Sequence, residues 1–508
     1  MRTHNTATVP TRLLLGSSVI ALGLSAGIAH AKDKAPLVLE PGSLVISSST
    51  YDPTQGNVAS LVVGTTLPNT ATATTKAVSG NNYVTVWNNE SVDASFGVTS
   101  PILLSDVDPS SGNVLSTIEV PPDSVATSFS SKSELGLHLA QEADGPHIVF
   151  MGYAGAGVGS IDASNSDAVP GQDPTNPVTF AFGRGYAFPR TIVSMDKQGN
   201  FAYTPTINYG GNNGRSALLG SNGLYYTVGN ANNGNAATFG PSNGTNPDVT
   251  ETTGLEAVVP LNAPDPFVAI PSSDSAEVDP LMQLAFNGKA DKPGKDDNFR
   301  GITENKGALF FTKGSGSNGI DTVYTVNPLP FDGGATSAAI TIVPGFPTDS
   351  AKATGGNFTP FAVFFANDKT MYVSDEGSGN ATDAASNAGL EKWSLVKGVW
   401  QLDYVLTRGL VGTVDTNLSG PAGQYPDVTT VGLRNLTGAV NSDGTVTLWA
   451  TTATSSASTD AGADPNKVVT ITDTVAATTL TGSVLQESFQ TLAGPTYGTV
   501  YRGVAYIN

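Results

Sequence analysis

Apolar and polar residues alternate in short runs along the chain, and this two-residue period predicts strands rather than helices. Ser43 to Tyr51 reads as the first strand. Ile102 to Asp106 and Val114 to Val120 read as a hairpin around Asp108-Pro109-Ser110-Ser111-Gly112. A unit of strand, tight turn and second strand then recurs. It runs from Gly136 to Tyr153 (turn Asp144-Gly145), Arg215 to Val228 (Asn222-Gly223) and Arg300 to Thr312 (Lys306-Gly307). It recurs in Phe361 to Ser374 (Asn367-Asp368) and Arg434 to Ala450 (Asp443-Gly444). Asn-Gly and Asp-Gly pairs signal hairpins whose central residues both take positive φ. Less regular strands follow each unit, at Arg190 to Ser194, Thr322 to Val326, Lys392 to Val396 and Val468 to Thr472.

Repetition of this kind predicts an all-β chain folded as a single β-propeller. Five internal units plus Tyr501 to Asn508 give six blades. Seven is the alternative, because Tyr83 to Asn88 can seed another. Two β-sandwich domains are the rival architecture. In the six-bladed reading, the C-terminal strand pairs with the N-terminal one and closes the ring. Two long polar stretches, 230–251 and 264–298, are expected as loops on one face.

The first thirty-one residues stand apart. Arg2 and Arg12 precede an apolar run from Leu13 to Ile28, and Ala29-His30-Ala31 has the small-x-small form of a cleavage site. This predicts a secretory signal peptide cut near Ala31, a short tail over 32–42 and a propeller over 43–508. The expected location is secreted or periplasmic, with no membrane insertion.

Charge narrows the partners. The formal net charge is −19, and loss of the two signal arginines takes it to −21. That argues against nucleic acid, which needs clustered Lys and Arg. The chain has no cysteine, which excludes disulfides and thiolate chemistry. Of four histidines only His138 and His147 lie beyond the signal, too few for a multi-histidine zinc site. The expected state is a monomer.

Several short phrases stand out: Tyr51-Asp52-Pro53, Pro344-Gly345-Phe346-Pro347, Leu390-Glu391-Lys392-Trp393-Ser394, Leu433-Arg434-Asn435-Leu436-Thr437-Gly438 and Tyr501-Arg502-Gly503-Val504-Ala505. In these the chain resembles a broad set of secreted bacterial β-propeller proteins. The resemblance implies the fold and export; it implies no activity and no catalytic residue.

The candidate chemistry is sparse. Gly240-Pro241-Ser242-Asn243-Gly244 has the letters of a nucleophile elbow, but lies in an Asn- and Gly-rich stretch without the strand and helix that the elbow needs. Asp106 with Asp108, Asp296 with Asp297, and Asp375, Glu376 and Asp383 form acidic clusters. Calcium, which takes six to eight oxygens, is the cofactor such clusters suit. Trp87, Trp393, Trp400 and Trp449 suit sugar stacking or packing between blades. Arg215, Arg300, Arg434 and Arg502 all begin an inner strand, with Glu134 and Pro360 in the corresponding places of the other two blades. They are candidates for an anion site at the channel mouth, or for struts between blades. Three functions fit: an exported binding or cell-surface scaffold; a hydrolase or lyase on an acidic polysaccharide or phosphate ester, assisted by calcium; a structural matrix protein. The partner under the first two is an anionic small molecule or glycan.

Overall fold

Each recurring unit closes on a tight turn that only certain residues can make. In the computed structural model, Lys306-Gly307 and Lys397-Gly398 have positive φ at both positions. At Asn222-Gly223, Asp144-Gly145 and Asp443-Gly444 only the glycine does. Those three turns therefore differ from the expected type. At the last of them, Asp443 Oδ1 accepts from Thr445 N and Oγ1, which fixes the bend from the side chain.

The structure describes residues 37–52, 54–60, 62, 98–129, 135–155, 157–159, 190–206, 208–209, 214–230, 254–266, 298–314, 319–329, 340–354, 358–379, 388–420, 423–456 and 462–508. Six main antiparallel sheets form the six blades of a β-propeller. From the axis outward, blade 1 is Thr499–Tyr506, Leu44–Thr50, Ile102–Val107 and Val114–Glu119. Blade 2 is His138–Glu142, Gly145–Ala154, Arg190–Met195 and Phe201–Thr206. Blade 3 is Gly214–Leu219, Tyr225–Gly229 and Gly254–Val258. Blade 4 is Ile302–Asn305, Ala308–Lys313, Thr322–Val326 and Thr341–Ile342. Blade 5 is Pro360–Asn367, Thr370–Asp375, Gly389–Val396 and Val399–Leu406. Blade 6 is Val428–Val440, Thr445–Ser456, Val468–Thr474 and Gln490–Ala493. Each inner strand touches the inner strands of both neighbouring blades, so the ring closes. The closure is the pairing of Leu44↔Tyr506 through Thr50↔Thr499.

Alternate residues of a strand feed opposite seams. Val45 and Ala505 pack toward blade 2 with Leu135, Ile148 and Phe150, while Leu44, Ile46 and Val504 pack toward blade 6 with Trp449 and Val468. Both faces of each sheet are thus apolar, and burial of those faces is the main force holding the ring. Trp393 and Trp400 lie in the seam between blades 4 and 5, buried with Val323, Met371 and Phe346, so they serve packing.

Polar residues also cross the seams, in a repeated pattern. Ser47 Oγ accepts from Gly503 N at 2.7 Å and donates to Leu135 O of the next blade at 3.0 Å. Thr312 Oγ1 accepts from Gly301 N at 3.1 Å and donates to Phe361 O at 2.7 Å. Ser374 Oγ takes Ala362 N at 2.9 Å and donates to Arg434 O. Thr451 Oγ1 donates to Arg502 O at 3.2 Å. The pattern also explains why glycine follows Arg300 and Arg502. A Cβ at Gly301 would lie 2.3 Å from Phe361 O, and one at Gly503 2.2 Å from Leu135 O. Only glycine lets the next blade's backbone come so close.

Candidate functional site

The inter-blade hydrogen bonds set the phase of the inner strands. Arg300, Arg434 and Arg502 occupy one repeated position, the residue just before the one whose N–H meets the bridging hydroxyl or that accepts from the preceding blade. Leu135 and Phe361 hold it in blades 2 and 5, one residue later than the expected Glu134 and Pro360. Glu134 itself lies outside the described residues. Arg215 falls in the matching bulge of blade 3, between Gly214 and Ser216.

All four arginines are buried, with 3 to 6% of their surface exposed. They sit at the end of the ring where inner strands begin and second strands finish. Arg300 of blade 4 and Arg434 of blade 6 converge on Glu376, which follows the second strand of blade 5. Arg300 Nη2 lies 3.7 Å from Oε1 and Arg434 Nε 3.2 Å from Oε2, so each carboxylate oxygen faces one guanidinium. Burial pulls the Arg300 guanidinium below its ordinary range, and Glu376 opposes that shift. The Arg300 guanidinium also stands 5.6 Å from the centre of the Phe361 ring. Lys313 and Asp321 pair at 2.7 Å in blade 4. Arg502 points elsewhere: it donates from Nε to Ser49 Oγ at 3.1 Å and from Nη2 to Ser128 O at 3.2 Å and to Phe129 O.

Two carboxyls lie beside Glu376 on blade 5. Asp375 accepts from Thr359 N at 2.8 Å, from Thr359 Oγ1 and from Gly377 N at 2.7 Å. Burial still pushes it up to about 6. Glu391 accepts from Trp393 Nε1 at 2.8 Å and is raised well above the ordinary range, by burial first and by Asp375 second. The register pairs Glu391 with Val373 and Gly389 with Asp375, which places both carboxyls on one face of the sheet. Glu391 carried no role in the sequence beyond its place in the phrase Leu390 to Ser394. Its signal was a charge at an inward position of a strand that otherwise reads as packing.

The other candidates resolve separately. Asp108 Oδ1 accepts from the backbone N–H and hydroxyl groups of Ser110 and Ser111, which makes it a turn cap. Ser242, Trp87, Tyr83 to Asn88, Asp296, Asp297 and Asp383 lie outside the described residues, as does most of 230–251 and 264–298. The strand ends that flank 230–251, Gly229 and Gly254, lie at the same end of the ring as the arginines, whereas 264–298 leaves from the opposite end, where Val258 pairs with Tyr225, and rejoins beside Arg300. His138 Nε2 meets Ser216 Oγ at 2.7 Å and ties blade 2 to blade 3; burial pushes its pKa down to about 4. At the opposite end of the ring, Glu142, Asp144 and His147 bring ligand atoms within 4.8 Å of one another. His147 faces Glu142 with Nδ1 at 3.2 Å and Asp144 with Nε2 at 2.9 Å. An ion can take only one of those ring nitrogens, so the arrangement suits a clamped imidazole better than three-ligand chelation. Among the described residues no helix is long and apolar enough to cross a membrane.

No protein-family model and no curated protein matches the sequence. Solved structures give distant likenesses. The N-terminal domain of Nup159 is 7% identical, over 76% of this chain and 74% of that one, at a TM-score of 0.30. A GH43 β-xylosidase/α-arabinofuranosidase from a compost microbial metagenome is 10% identical, over 72% and 96%, at 0.29. A PL25 ulvan lyase is 9% identical, over 80% and 90%, at 0.27. At these values the likenesses fix neither an activity nor a ligand.

Proposed function

We propose that the chain is an exported binding propeller whose arginine-bearing mouth takes an anionic ligand, of the acidic glycan or phosphate ester kind. The observation that carries this reading is the convergence of Arg300 and Arg434, from blades 4 and 6, on the single carboxylate of Glu376. A carboxylate or phosphate oxygen is the group two guanidiniums grip best, and Glu376 holds the place that a ligand anion would take. Export rests on residues 1–31, and a monomer is the expected assembly. A second reading, hydrolysis or elimination on an acidic polysaccharide, draws on Asp375 and Glu391. Two carboxyls held protonated to higher pH beside a cationic mouth are the groups that general acid–base chemistry uses.

The test is titration calorimetry of the purified chain against polygalacturonate, heparin and a phosphate monoester, with and without calcium, with product analysis on the same samples. Saturable binding without new reducing ends, unsaturated ends or free phosphate supports the binding module. Turnover replaces it with the enzyme reading. Absence of binding to all three overturns both.

A further inference from the structure

Away from the mouth, a second charged cluster is buried in the seam between blades 5 and 6. Lys392, on the third strand of blade 5, and Asp473, on the third strand of blade 6, are both fully buried, and Nζ lies 2.9 Å from Oδ2. Two phenols donate to the same carboxyl: Tyr404 OH to Oδ1 at 2.7 Å, and Tyr372 OH to Oδ2. Their rings lie 5.2 and 5.6 Å from Nζ. Glu487 lies close enough to Asp473 for the two carboxyls to interact. Its Oε2 is buried without a hydrogen-bond partner.

We infer that Lys392 and Asp473 react with each other to form an amide, a self-made cross-link that staples blade 5 to blade 6. The structure shows the reactant geometry, an amine nitrogen in contact with a carboxyl group in a site closed to water. The reaction is a condensation. The Nζ–Cγ bond forms, one Cγ–O bond breaks, and that oxygen leaves as water with two of the protons of Nζ. The charges of ammonium and carboxylate cancel, and no oxidant or other reactant is needed. Fixed contact supplies the effective concentration, and exclusion of water disfavours reversal. The phenol donors draw density from Cγ and stabilise the oxyanion of the tetrahedral intermediate. Burial and Asp473 push Glu487 up to about 8, so it carries a proton at neutral pH. It gives that proton to the departing oxygen and recovers one from Nζ.

The product also removes a standing cost. A buried ion pair forfeits the hydration of two charges, whereas an amide is neutral. The chain has no cysteine, so a disulfide cannot staple the ring. A Lys–Asp amide gives the same constraint without redox chemistry, and closes the stretch between the two strands as a disulfide would.

Peptide mapping by mass spectrometry on the folded full chain tests the inference. Trypsin should leave Lys392 uncut and release a branched peptide carrying both Lys392 and Asp473, lighter than its parts by one water. Lys392→Arg and Glu487→Gln should each give the two linear peptides instead. Recovery of the linear Asp473 peptide in full, with cleavage after Lys392, from the wild-type chain overturns the inference without reference to any variant. A cross-link formed as fast and as completely in Glu487→Gln overturns the role given to Glu487.

Discussion

Thr312 Oγ1 donates to the Phe361 carbonyl at 2.7 Å, and through that bond blade 4 holds the inner strand of blade 5. The same hydroxyl takes the Gly301 N–H at 3.1 Å, so one buried side chain joins both strands of its own hairpin to the next blade. Thr312→Val keeps the shape and removes both bonds, leaving a buried N–H and a buried carbonyl unpaired. A loss of about 1–3 kcal/mol follows for a buried group left unsatisfied. Thr312→Ser should recover most of it. Thermal unfolding of the three chains checks the point, and equal stability of Thr312→Val and wild type would remove the hydroxyl bridge from the account of ring assembly.

That bridge shows why much of the fold could be read from the sequence, and why the site could be read only in part. The turns at Lys306-Gly307 and Asp443-Gly444 and the alternation around them are local, so they announce their hairpins. The arginines at the starts of inner strands stood out in the sequence, but the glycine after Arg300 did not explain itself, because the carbonyl that forbids a side chain at Gly301 belongs to Phe361. Glu376 looked like one member of an acidic loop. Only the ring brings it between Arg300 and Arg434. Lys392 and Asp473 gave no signal at all, since their pairing depends on the order of strands within two blades.

Closure of the ring predicts a severe effect from a small deletion. Removal of residues 494–508 takes away the inner strand of blade 1 and leaves Leu44–Thr50 with an open edge. It also takes away Arg502 and the carbonyl that Asn435 and Thr451 address. Exposed strand edges pair with other chains. The truncated chain should be recovered in the insoluble fraction, or cut by protease at concentrations that leave the full chain intact. A truncated chain that melts like wild type would make the C-terminal strand peripheral.

His138 and Asp375 should tilt the pH dependence of stability in opposite directions. His138 is pushed down to about 4 from an ordinary 6.5. The unfolded chain therefore binds the proton more readily, and the stability from the neutral ring is complete above 6.5 and lost as pH falls toward 4. Asp375 is raised to about 6 from 3.8. Its folded state holds the proton more tightly, so that contribution is complete below 3.8 and lost as pH rises to 6. Melting temperatures between pH 4 and 7 should fall less on acidification in His138→Asn than in wild type. In Asp375→Asn they should fall more. Parallel curves for wild type and His138→Asn would show that the ring does not change its proton affinity on folding.

Glu376 gives the sharpest separation between a strut and a ligand site. If its carboxylate only ties blades 4, 5 and 6 together, Glu376→Gln lowers the melting temperature and leaves polyanion binding where it was. If it holds the place of a ligand anion, removing its charge also removes a competitor for Arg300 and Arg434. Affinity for polygalacturonate or heparin should then rise, by about tenfold for a change of 1.4 kcal/mol. Arg434→Gln should lower affinity by a similar factor and make what remains less sensitive to salt, because one charged contact has gone. The two variants share a destabilised mouth, so stability alone cannot separate them; the opposite signs in affinity can. Equal affinity in wild type, Glu376→Gln and Arg434→Gln would leave the arginines as struts and move any ligand away from the mouth.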